Sequence, residues 1–151
     1  MAKNMKRLYL TLIILTFAIT GFAQDEFFNK YEGKPNVDVV FISKNMFAAM
    51  EKKGNSKNRG SKQFEALRIM EVNNKSLIPA IKEDAMKSFC NSEGYEDLMK
   101  LNESGETTII RQKKLKNNHS VFILINYSDN TLNILALTGK GIQLNDIKKM
   151  R

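Results

Sequence analysis

The chain has 151 residues, with 24 Lys and Arg against 16 Asp and Glu for a formal charge of +8, and it holds one cysteine and one histidine. One thiol makes no intramolecular disulfide. One thiol and one imidazole are too few for a closed zinc site, and a nucleophilic triad would have to be built around this single pair.

Lys3, Lys6 and Arg7 lead an apolar run from Leu8 to Ile19 that ends in Gly21-Phe22-Ala23-Gln24. This is the pattern of a bacterial-type secretory signal peptide, with Gly21 and Ala23 at the minus three and minus one positions of a cut. The reading is a signal peptide over residues 1–23, cleaved after Ala23, and an exported chain, periplasmic or secreted, that starts at Gln24. A retained anchor is the alternative, but the run is shorter than the roughly 20 residues that span about 30 Å of hydrocarbon. Position 24 is Gln, so the lipid-accepting cysteine of a lipoprotein is absent from the expected cut. Cleavage leaves 128 residues and no transmembrane segment; the leader's three basic residues account for three of the eight charges, leaving +5. That length suits one domain burying roughly two thirds of its unfolded surface. Export also disfavours functions that need cytoplasmic ATP, NAD or nucleic acid.

Phe27, Phe28 and Tyr31 predict a short helix laying an aromatic face on the core, ended by Gly33-Lys34-Pro35-Asn36. Val37 to Ile42 is β-branched and apolar on both alternating faces, which predicts an inner strand. Ser43 can cap a following helix carrying Met46, Phe47 and Met50, which ends at Gly54. From Lys52 to Lys62 no apolar residue anchors the chain, and Lys52, Lys53, Lys57, Arg59 and Lys62 form a basic loop. A second strand is expected from Ala66 to Val72, closed by Asn73-Asn74. A helix with Ile78, Ile81, Ala85 and Phe89 on one stripe follows, with Pro79 tolerated in its first turn and Asn91 to Gly94 ending it. Four strands then read as an antiparallel meander: Tyr95–Asn102, Thr107–Lys114, Ser120–Tyr127 and Thr131–Thr138. Turns fall at Ser104-Gly105, Asn117-Asn118 and Ser128-Asp129-Asn130. The polar Thr107–Lys114 is expected near an edge, open to a pairing partner, and Ser120–Tyr127 at the centre. Gly139-Lys140-Gly141 reads as a sharp turn before a terminal helix with Leu144, Ile147 and Met150. The expectation is one α+β domain over 24–151. It has a mixed or antiparallel sheet of about six strands with two to three helices mainly on one face.

The stretch Val37 to Phe47, Tyr95 to Met99 with Gly105-Glu106, and Leu137-Thr138-Gly139 with Leu144 to Ile147 resemble the exported bacterial family called domain of unknown function 4252. The resemblance runs from about Glu26 to Met150. It implies a small exported or membrane-attached α+β domain with no assigned activity and no catalytic residues to carry over.

No residue stands out as catalytic, and no cofactor or metal is expected. His119 reads as an exposed turn residue and Cys90 as a partly buried packing residue, with a reactive or intermolecularly bridged thiol as the alternative. Glu93, Glu96, Asp97, Glu103 and Glu106 could supply a carboxylate pair for glycosidic hydrolysis, a reading that depends on their separation. The Gly54 to Lys62 stretch lacks the Gly-x-x-x-x-Gly-Lys-Ser/Thr spacing of a phosphate loop. The basic loop is the candidate binding site, for an anionic envelope component or an acidic protein surface. It has no aromatic residues to stack bases, so nucleic acid is not expected. The leading expectation is a non-enzymatic envelope interaction module. The alternative is a carboxylate-dependent hydrolase acting on an envelope polymer.

Overall fold

The computed structural model describes residues 23–53 and 63–148. Their element order is α1 (Ala23–Tyr31), β1 (Val37–Ser43), α2 (Lys44–Lys53), β2 (Gln63–Val72), α3 (Ile78–Ser88), a 3₁₀ turn (Asn91–Glu93), β3 (Glu96–Glu103), β4 (Glu106–Lys114), β5 (His119–Tyr127), β6 (Leu132–Lys140) and α4 (Leu144–Lys148). The six strands form one sheet in the order β1-β2-β6-β5-β4-β3. Every neighbouring pair is antiparallel. The fold is α+β, as the sequence predicts, and the expected leader lies outside the described residues apart from Ala23, which opens α1.

Two strand placements differ from expectation. Val37–Ser43 lies at an edge of the sheet and not inside it, whereas β4 is interior, paired with β3 on one side and β5 on the other. β4 is therefore closed to an incoming strand, and among the described residues the edge strands are β1 and β3. The β4 polar groups mislead because they are satisfied internally: Thr108, 3% exposed, accepts a hydrogen bond from the Asn126 amide at 2.9 Å. Arg111 donates from Nη1 to the Phe89 carbonyl at 2.9 Å and from Nε to Asp97 at 2.6 Å. At the other end of the chain, β6 runs through Gly139 and Lys140, so the expected three-residue turn shrinks to Gly141, whose φ is 66°.

The central strands are apolar on both sides, so the sheet requires two covers. Val121, Ile123 and Ile125 of β5 with Ile134 and Ala136 of β6 meet Phe27 and Phe28 of α1 and Ile78, Ile81 and Ala85 of α3. On the opposite face Phe122 of β5 and Leu137 of β6 meet Ile142 and Ile147, with Phe47, Phe64 and Leu144 packed against them. The larger helical layer is thus on one face, and α2 and α4 form a thinner one on the other. The meander turns are legible in residue type. Ser104-Gly105 and Asn117-Asn118 all hold positive φ, the geometry of two-residue hairpin turns matched to strand twist.

α1 and α3 are fastened by a polar contact at the rim of the aromatic core. The Tyr31 hydroxyl donates to Asp84 Oδ2 at 2.7 Å, and Lys30 Nζ donates to the same oxygen at 2.8 Å. Burial works against the Asp84 charge, but the Lys30 and Tyr31 donors prevail and hold its carboxyl below its ordinary range. Burial first, and then the Asp84 contact, push the Tyr31 hydroxyl well above the ordinary tyrosine range. Burial and the nearby Glu93 push Tyr95 up to about 12. Unfolding releases both phenols to ionise near pH 10. Their contribution is therefore fully present below about pH 10 and is lost as pH climbs above it. Chemical denaturation across pH should show stability falling steeply in that alkaline range. Tyr31→Phe should shallow the fall and cost about 1 kcal/mol at neutral pH, where it removes the bond to Asp84.

Candidate functional site

The antiparallel register gathers lysines at one end of the sheet, where the exposed Glu96 and Asp97 also open β3. Gln63 on β2, Lys140 on β6 and His119 on β5 lie side by side, and Lys114 on β4 faces Ser120. Neighbouring strands are about 4.8 Å apart, which puts the backbones of Lys114 and Lys140 about 10 Å from each other. Lys116 stands in the adjoining turn, whose geometry is set by the His119 N–H donating to the Lys116 carbonyl at 3.2 Å. Lys114, Lys116 and Lys140 are exposed. Lys113 is half-buried, with its ammonium 5.4 Å from the centre of the Tyr95 ring. At this end of β2 the Glu65 carboxylate meets His119 Nε2 at 3.0 Å. His119 is therefore half-buried and partnered, not the free turn residue expected. Exposed Asp38, Glu71, Glu103, Glu106 and Asp129 gather at the opposite end, where Lys34 and Lys75 stand in the adjoining loops.

Of the basic loop, Lys57, Arg59 and Lys62 lie outside the described residues. Lys52 and Lys53 close α2, and their side chains lie outside as well. The segment leads directly into Gln63, the residue paired with Lys140. Lys113, Lys114, Lys116 and Lys140 are thus additional cations at the sheet end where the basic segment rejoins it. Their signal in the sequence is positional, since they sit at the mouths of the Asn117-Asn118 and Gly141 turns.

Two of the depressions among the described residues lie away from this end. One, of about 340 Å³, has apolar walls from Ile69, Leu124, Leu135 and Ile147 and a polar rim of Thr108, Asn126, Asn133 and Glu106. It offers shape and hydrogen-bonding groups, with the Thr108 hydroxyl engaged by the Asn126 amide. The other, of about 250 Å³, brings together Glu103 and Glu106, which oppose each other across the β3–β4 turn. Both carboxylates are exposed to solvent. Asp97 is engaged by Arg111, and Glu93 of the 3₁₀ turn lines a further depression of about 280 Å³ with Glu26, Lys30 and Asp84. Among the described residues no cluster of three or more His, Cys, Asp and Glu side chains could hold a metal, and no helix is long and apolar enough to cross a membrane.

Cys90 precedes the 3₁₀ turn and is half-buried, with its sulfur 2.9 Å from Ser92 Oγ. The Ser92 hydroxyl, aided by backbone amides of the turn, holds the thiol below its ordinary range. A lower thiol pKa raises the thiolate fraction at neutral pH. Ser92→Ala should therefore slow alkylation of Cys90 by iodoacetamide at pH 7, and the two rates should converge at a pH above both thiol pKa values.

Comparison with known proteins gives one match: the family described as Domain of unknown function (DUF4252) covers residues 31–150. No curated protein and no solved structure matches the chain. The matched span takes in all six strands and three of the four helices, so the chain belongs to the domain of unknown function 4252 family.

Proposed function

We propose that this chain is an exported, non-enzymatic interaction module that engages an anionic envelope component through the basic end of its sheet. The contact combines the loop cations Lys52, Lys53, Lys57, Arg59 and Lys62 with Lys113, Lys114, Lys116 and Lys140. The observation that carries this reading is the strand register, which gathers lysines from β4, β6 and their turn where the basic segment enters β2. Clustered like charges raise the local concentration of an anionic partner and speed encounter. The leader read from residues 1–23 supplies the compartment in this proposal, and the phosphates and carboxylates of an envelope supply the partner chemistry.

Binding of this kind is screened by salt, with a Debye length of about 10 Å at 0.1 M and about 3 Å at 1 M. Co-sedimentation of the processed chain with native cell envelopes should therefore fall as salt rises. Lys57→Glu, Arg59→Glu and Lys62→Glu together should abolish the salt-sensitive fraction. Lys114→Glu with Lys140→Glu should reduce it and leave the far-ultraviolet circular dichroism unchanged. Envelope binding that survives all five reversals would refute the proposal.

A further inference from the structure

The two edge strands of the sheet are built differently. β3 is interrupted by a bulge between Asp97 and Met99 and carries four charges, Glu96, Asp97, Lys100 and Glu103. Bulges and charges are the usual means of keeping another strand off an edge. β1 has an unbroken seven-residue register with β2 and a single charge, Asp38. Its Val40 and Phe41 are 50% and 55% exposed. The Asn73 N–H donates to the Asn36 carbonyl at 3.3 Å. Antiparallel alternation then directs Asp38, Val40 and Ile42 toward β2 and turns the amides and carbonyls of Val39 and Phe41 outward.

We propose that β1 is a homodimer interface, in which the β1 strands of two copies pair antiparallel about a two-fold axis at Val40 and join two six-stranded sheets into one of twelve. This register sets Val39 opposite Phe41 of the second copy as a hydrogen-bonded pair and Val40 against Val40 as a non-hydrogen-bonded pair. Val37 and Ser43 close the ends. Charge favours this occupant. The two-fold axis sets the acidic end of one sheet beside the opposite end of the other. Asp38 then faces Ile42 of the second copy, next to the point where that copy's chain leaves the strand and enters α2 at Lys44. The two Asp38 residues stand about 14 Å apart along the strands, beyond the screening length at 0.1 M salt. Pairing of β3 with β3 would instead stack carboxylates on carboxylates. The Arg68 guanidinium lies 4.7 Å from the centre of the Phe41 ring and gives the incoming Val39 a fixed surface.

Sedimentation velocity of the processed chain should reveal a reversible monomer–dimer equilibrium, and Val40→Lys should convert it to monomer with unchanged circular dichroism. In a Cys90→Ser background, Val40→Cys should form a covalent dimer under mild oxidation. The facing Cα atoms of a non-hydrogen-bonded pair are about 4.5 Å apart, within disulfide reach. Val39→Cys, placed opposite Phe41, should not. A chain that stays monomeric at every concentration, assemblies that grow beyond the dimer, or cross-linking no faster at position 40 than at 39 would each overturn the proposal.

Discussion

The seam between β2 and β6 holds the molecule together. The chain lays down β1 and β2, crosses one face of the sheet through α3, starts again at the far edge with β3, and returns through β4 and β5 until β6 meets β2. That meeting pairs Val72 with Leu132 and Leu67 with Leu137, residues sixty to seventy positions apart. Non-local pairing of this kind must be repaid by burial on both sides, because the loop it closes costs conformational entropy. Met70 and Ile134 repay it on one face and Leu67 and Leu137 on the other, all within 7% exposure. The two helical layers follow from this requirement. α1 and α3 cover the first face, α2 and α4 thicken the second, and Arg111 ties the end of α3 to the sheet by donating to the Phe89 and Met86 carbonyls. Those carbonyls lie at the helix end, where intrahelical donors run out.

Much of this is legible from residue order. The aromatic spacing of α1, the stripe Ile78-Ile81-Ala85, and the Ser104-Gly105 and Asn117-Asn118 turns are local signals, and local signals decide local structure. The central place of β5 is legible in its two apolar faces, whereas the places of β1 and β4 are not, because they depend on which strands meet. Thr108 and Arg111 made β4 look like a solvent-facing strand, yet both are paired with partners that only the fold supplies, Asn126 for one and Asp97 with the end of α3 for the other. β1 misled in the opposite sense. Val40 and Phe41 are the residues of an inner strand placed at an edge, and a second β1 would give them the environment their chemistry calls for.

The candidate site was half legible. Five cations between Lys52 and Lys62 announce themselves as a run, whereas Lys113, Lys114, Lys116 and Lys140 belong together only through the register of β4, β5 and β6. Much of both sheet faces is committed to the core, apart from the depression over Ile69, Leu124 and Leu135. The ends differ in sign, and the chemistry available at the basic one is charge and hydrogen bonding. Elsewhere His119 meets Glu65, Cys90 meets Ser92, and the Glu103 and Glu106 carboxylates lie on an open turn.

The account stands or falls on whether the basic end is the face that meets the envelope. Hydrogen-exchange footprinting of the processed chain, with and without native envelopes at low salt, reads this directly along the backbone. The account predicts new protection confined to the 52–63 segment, the turn between β4 and β5, and the end of β6 around Lys140. Protection concentrated at the acidic end, or over the depression lined by Ile69, Leu124 and Leu135 with the basic end unchanged, would contradict it.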